Sequence, residues 1–179
     1  MLAAKAAGSP HLVFVSIAGI ERAARHYAYY RFKLVAEERL RSVYPASTIV
    51  RVTQFHPFVA FLLRRLDAKL AVIVPSAARL QPVDVNFAAS QLVDVVLERP
   101  ILRAPDVHGP ETVGFKQLAR TWLQAQHRRT PVAAIPIPFQ PLKALSAIET
   151  VTGSGGGISW TTWITGHISD DDAYSRPTR

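Results

Sequence analysis

The stretch His11-Leu12-Val13-Phe14-Val15-Ser16 follows the breakers Gly8, Ser9 and Pro10 and is rich in β-branched and aromatic residues, so it reads as a buried strand. From Tyr27 to Tyr44 there is neither glycine nor proline, and Phe32, Ala36, Leu40 and Val43 recur as one face of a helix that Pro45 ends. Thr48 to Val52 is a second strand, and His56 to Asp67 a second helix with Phe58, Phe61, Leu62 and Leu66 on its apolar side. Further on, Leu70 to Val74 and Pro82 to Val85 are short apolar runs, while Phe87 to Leu97 has helical spacing through Leu92, Val95 and Val96, so another strand and helix are expected. Gly109-Pro110 marks a turn before a helix over Phe115 to Gln126; Val132 to Ile137 is extended and Leu142 to Ile148 a short helix. Strands alternating with helices predict an α/β fold, with a mainly parallel sheet covered by helices. Met1 to Ala7 reads as the last turns of a helix. Gly153, Gly155, Gly156 and Gly157, then the acidic run Asp170 to Asp172, predict a flexible tail over residues 151–179.

The composition supports a chain able to bury a core. Of 179 residues, 49% are hydrophobic and 19% charged. Without cysteine there is no disulfide framework, thiolate metal site or cysteine nucleophile, which argues against a small secreted scaffold. No apolar run reaches the roughly 18 residues that a membrane span requires, so a cytoplasmic protein with no membrane partner is expected. The net charge of +8 raises nucleic acid as a partner. However, Arg64-Arg65 and Arg128-Arg129 lie near helix ends, where cations offset the dipole, and specific nucleic-acid binding is not expected. The six histidines show no H-x-x-x-H pair and no carboxylate at ligand spacing, so no metal is expected either.

Ser16, Tyr29 and Lys33 form the sharpest constellation. Tyr29 and Lys33 are four apart and share a helix face, and ligands of open α/β sheets lie beyond the carboxyl ends of the strands, where Ser16 stands. A free phenol titrates near pH ~10, so it exchanges a proton near neutrality only beside a cation such as Lys33. Ser16 would hold a substrate carbonyl.

The segments His11 to Ser16, Tyr29 to Glu37 and Ile49 to His56, in this order, resemble the atypical short-chain dehydrogenase/reductase superfamily in its NmrA-like, NAD(P)-binding branch. The thirteen-residue step from Ser16 to Tyr29, Gln81 to Val85 and Gly109-Pro110-Glu111 extend the likeness over roughly residues 2–148. The resemblance implies NAD(P) as cofactor, Tyr29 as proton donor or acceptor, Lys33 on the nicotinamide ribose and Ser16 on the oxygen of a small-molecule substrate. It further implies that Val52, Thr53, Gln54 and Phe55 line the nicotinamide end. Val52 replaces a proline common in the branch, and Phe87 an aspartate.

A glycine-rich turn between a first strand and helix, which would bind the pyrophosphate, is absent. Gly153-Ser154-Gly155 starts like one but meets Ile158 where the last glycine belongs, and reads as a loop. The resemblance therefore implies the C-terminal half of a Rossmann-type parallel sheet plus a small α/β substrate-binding portion, truncated of its N-terminal half. Residues 1–100 would be the partial NAD(P)-binding domain and 101–150 the substrate-binding portion, and an oligomer through an exposed sheet edge is expected. The leading function is an NAD(P)-dependent oxidoreductase, catalytically active or not. A non-catalytic dinucleotide-sensing regulator and a basic nucleic-acid-binding module are the alternatives.

Overall fold

A computed structural model describes residues 7–8, 10–136 and 140–167. The helical turns expected over Met1 to Ala7, Ala7 aside, and the acidic run Asp170 to Asp172 lie outside the described residues. Two strands of six residues, β1 (Leu12–Ile17) and β2 (Ser47–Val52), pair in parallel from Leu12 with Ser47 to Ile17 with Val52. The helix between them, α1 (Ala28–Val43), runs without a breaker and turns Tyr30, Glu37 and Leu40 into the structure. Beyond β2 come β6 (Asp106–His108) and β9 (Gly153–Gly155), also parallel, giving the order β1-β2-β6-β9. The two-residue strand β5 (Leu102–Arg103) pairs beside β2. Alternation places α1 on one face of this sheet and α3 (Val85–Leu97) on the other, where Val50, Val52, Val83, Ala88 and Val107 form a core.

A second layer system stands at the carboxyl ends of these strands. It contains α2 (His56–Arg65), β3 (Val72–Pro75), β4 (Arg79–Leu80), β7 (Val113–Gly114), α4 (Phe115–Ala125), β8 (Val132–Ile135), α5 (Gln140–Ser146) and α6 (Trp160–Gly166). β3 and β8 pair in parallel, β4 and β7 antiparallel. Their cluster buries Val59, Leu63, Val74, Phe115, Leu118, Trp122, Trp160 and Trp163. At about 1.5–3 kcal/mol for each large side chain moved from water to the interior, this cluster is the main apolar source of stability.

Three local features stand out against the sequence pattern. Pro82 to Val85 is not a strand: Val83 makes one isolated bridge with Phe55, and Asp84 caps α3 by accepting from the Phe87 N–H at 3.0 Å. Within residues 151–167, where a flexible tail is expected, the chain forms β9 and α6. Gly153 pairs with Asp106 and Gly155 with His108, at a separation where a Cβ would overlap the Asp106 carbonyl or the His108 ring. Glycine is used there for close approach, and Ser159 then caps α6. Residues 102–108 and 153–155 return to the main sheet after the chain has visited the second layer system.

Candidate functional site

Parallel strands release their chains at one end of the sheet, and the candidate residues collect there. The N–H groups of Leu12 and Ala18 donate to Ala46 and Val52 of the β2 side at 3.0 Å. Strand alternation therefore points the peptide groups of Phe14 and Ser16 toward β2 as well, and those of Val13, Val15 and Ile17 toward the outer edge. Lys33 uses that edge: its Nζ donates to the Val15 carbonyl at 3.2 Å. The ammonium also lies 5.0 Å from the Phe14 ring centre and 6.0 Å from that of Tyr29. The helix brings Tyr29 and Lys33 together as their spacing requires, with Tyr29 half exposed.

Three tyrosines share this corner. Tyr27 meets Tyr30 edge-on at 5.5 Å, and Tyr29 tilts against both. Tyr30 is buried, and loss of solvation, reinforced by Tyr27 and Tyr29, pushes its phenol up to about 12. It is therefore a packing residue, whereas Tyr29 and Tyr27 are both partly exposed, Tyr29 the more so.

Ser16 is placed differently. It is buried, its side chain shares the α1 side of the sheet with Leu12 and Phe14, and among the described residues its hydroxyl has no hydrogen-bond partner, although it lies near enough to Glu37 to help lower that carboxyl. It is not brought to the solvent-facing side where Tyr29 stands. Val52 packs in the α3-side core; Thr53 donates through Oγ1 to the Gln81 carbonyl at 2.6 Å and through its N–H to Val107 at 2.9 Å. Phe55 is half-buried in the same core. Gln54 is buried, and among the described residues neither atom of its amide has a hydrogen-bond partner.

Sequence reasoning missed the charged groups beneath the site. Arg51 holds Glu37 with a two-pronged fork, Nε to Oε1 and Nη2 to Oε2, both at 2.8 Å, and its third nitrogen donates to Glu21. Burial works against both charges. The fork overrides it, holding the Glu37 carboxyl below the usual carboxylate range and the guanidinium above its ordinary value. The alternating apolar pattern gave no sign of this pair, although β2 carries an arginine where a wholly apolar strand would not. A groove of about 580 Å³ was missed as well. It is lined by Arg22, Arg79, Ser146, Glu149 and Thr150 among others, with Arg22 bonded to Glu149 at 2.8 Å. Among the described residues, no helix is long and apolar enough to cross a membrane.

No sequence profile of a known protein family matches the chain, and no curated protein sequence is similar to it. Solved structures are similar in fold. A nucleoside-diphosphate-sugar epimerase from Staphylococcus aureus superposes with a TM-score of 0.70 at 14% identity, over 92% of this chain and 67% of that one. A UDP-glucose 4-epimerase from Bifidobacterium longum, in complex with NAD+ and UDP, gives 0.66 at 14% identity, over 90% and 63%. RMD from Pseudomonas aeruginosa, complexed with NADPH, gives 0.62 at 12% identity, over 94% and 69%. The chain thus spans about two thirds of the length of these structures, and what the likeness establishes is the fold, a Rossmann-type α/β architecture.

Proposed function

We propose that this chain supplies the nicotinamide-side and substrate-side portion of an NAD(P)-dependent oxidoreductase of the short-chain dehydrogenase/reductase type. The observation that carries this reading is Lys33. Its ammonium is folded back onto the carboxyl end of β1, beside the half-exposed Tyr29, at the sheet end where ligands of such folds lie. NAD(P), when bound, supplies the hydride chemistry. Lys33 would hold the nicotinamide ribose and favour the Tyr29 phenolate, and Tyr29 would give or take the proton at the substrate oxygen. Val52 to Phe55 would border the nicotinamide end, and the buried, unsatisfied amide of Gln54 fits a site completed by a polar ligand. Among the described residues nothing comparable fits the pyrophosphate: neither α1 nor α3 begins in a glycine-rich turn. The groove holding Arg22, Arg79, Ser146 and Glu149, in which Glu149 offsets Arg22, would take a hydroxyl-rich small molecule with Arg79 as its remaining cation.

The test separates the two ends of the dinucleotide. Nicotinamide mononucleotide should bind at about millimolar strength, detectable by NMR, and Lys33→Ala should remove it, while ADP-ribose should not bind. Binding of ADP-ribose without the mononucleotide would reverse the assignment. Ser16 favours a second reading, the NmrA-like regulator that senses a dinucleotide without turnover. Its hydroxyl is buried beneath α1, so no second exposed hydroxyl stands beside Tyr29 at the substrate.

A further inference from the structure

Glu37 and Arg51 are the most deeply buried charges of the main sheet, at 1% and 6% exposure, and nothing in the reaction chemistry uses them. Replacing such a pair by apolar residues of similar volume is often neutral or stabilising, because desolvation offsets the attraction. Stability alone is thus a weak reason for the pair. Its geometry supplies another. Apolar side chains let a helix roll or slide on a sheet at low cost, whereas a planar guanidinium gripping a carboxylate at two points fixes both direction and distance.

The fork sits where that restraint matters. Glu37 follows Lys33 by one helical turn and Tyr29 by two, so its side of α1 is theirs. Arg51 pairs with Ser16 across the β1–β2 ladder, one residue from the Val15 carbonyl on which Lys33 rests. Its remaining nitrogen holds Glu21 in the connection that leaves β1. Arg41, one turn further along α1, reaches Glu37 only at 3.5 Å and adds a weak second hold. One guanidinium therefore joins β2, the connection after β1 and the helix carrying the tyrosine and lysine.

We propose that Glu37 and Arg51 are positioning residues: their fork sets the rotation of α1 so that Lys33 reaches the Val15 edge and Tyr29 faces the end of the sheet. The ligand-binding part of this inference rests on the reading of the site given above; the geometric part does not. Two variants test it, Arg51→Lys, which keeps the charge and loses the fork, and the double variant Glu37→Met with Arg51→Met, which removes both charges. Three quantities are read: the melting temperature, the nuclear Overhauser contact between the Lys33 side chain and Val15, and affinity for nicotinamide mononucleotide. The double variant should melt close to the wild type, yet lose the Lys33–Val15 contact and weaken mononucleotide binding by at least about tenfold. Arg51→Lys should show the same two losses. If either folded variant keeps both the contact and wild-type affinity, the pair is structural only and the proposal fails. If the wild type itself binds no mononucleotide, the NAD(P) reading fails, and the Lys33–Val15 contact still decides this one.

Discussion

Around Trp160, helices α2, α4 and α6 close over β3 and β4 and leave Phe115, Leu118, Trp122 and Trp163 all but inaccessible. At the β1 edge, the same chain leaves Val15, Tyr29, Phe32 and Val35 exposed, Phe32 by 72%. Both regions are built from amphipathic helices on parallel strands, so patterning does not separate them. What separates them is topology. The Trp160 region receives a cover on every apolar side from later parts of the chain, whereas β1 ends a sheet whose outward peptide groups meet only Lys33 within the described residues. A closed core sets how stable the molecule is, and an open edge sets how it meets other surfaces.

The largest expected effect lies in the closed region. Trp160 is 1% exposed, stacks on Trp163 at 5.6 Å and donates its indole N–H to the Leu118 carbonyl at 3.2 Å. Trp160→Ala should cost about 3–5 kcal/mol in chemical denaturation, through lost contact and an unfilled cavity. Phe32→Ala should stay within about 0.5 kcal/mol. Equal losses at both positions would mean that the edge is covered in solution and the contrast is false.

Acid should reach the two regions in different pH windows. His56 is wholly buried between Trp160, Trp163 and the Pro82 carbonyl, with Asp84 and His167 acting on it in opposite senses. Burial dominates and pulls its imidazole down to about 4, from an ordinary 6.5. The folded state thus binds the proton less readily than the unfolded chain. This contribution, about 3 kcal/mol, is complete above pH 6.5 and disappears as pH falls to about 4. Glu37 has the same sign in a lower window, since its carboxyl is held below the ordinary value of 4.5. Urea midpoints across pH 7 to 3 should show both losses, and His56→Phe should flatten only the upper one. A slope between pH 6.5 and 4.5 that survives His56→Phe would place the first titration elsewhere.

Glycine distinguishes tight backbone contact from open surface. Gly153→Ala forces a Cβ into the Asp106 carbonyl, which cannot move without disturbing the β6–β9 pairing, and should cost about 1–3 kcal/mol. A Cβ at Gly166, in the last turn of α6, meets nothing within 4 Å, and Gly166→Ala should be neutral or stabilising by up to about 1 kcal/mol. Thermal melts compare the two directly. A neutral Gly153→Ala would return residues 151–155 to the loosely held segment that their composition suggests.

These outcomes bear on what the sequence discloses. β1, α1, β2 and α2 are legible because each has a clean period and a breaker at its end, such as Pro45 after α1. Gly153 to Gly157 misleads, because close approach to Asp106 and His108 leaves no mark on the sequence around the glycines themselves. Pro82 to Val85 misleads through its apolar character, since a capping Asp84 outweighs two valines. At the site, the four-residue step from Tyr29 to Lys33 carries its own geometry. The facing of Ser16 does not: strand alternation says that it opposes Val15, but only the helix above shows that it opposes Glu37.

The smallest effect on stability should accompany the clearest change in association. Val13 has its N–H on the outer edge of β1, so Val13→Pro removes an outward donor and leaves the β2 ladder whole, although it gives up part of the packing of Val13 on the α3-side core. Phe32→Glu places a charge on the exposed side of α1, one turn from Tyr29, and at 72% exposure it should shift stability by no more than about 0.5 kcal/mol. If the open edge joins copies of the chain, as proposed for strand edges of this kind, the wild type should show concentration-dependent mass in sedimentation velocity. Val13→Pro and Phe32→Glu combined should then shift it toward the monomer, with the Trp160 region melting as before. The net charge of +8 and the ammonium of Lys33 at the edge oppose such self-pairing, so added salt should promote it in the wild type and have little influence on the double variant. A wild type that stays monomeric at high concentration and high salt would show that Lys33 alone protects the edge, and Lys33→Ala should then release the association that salt does not.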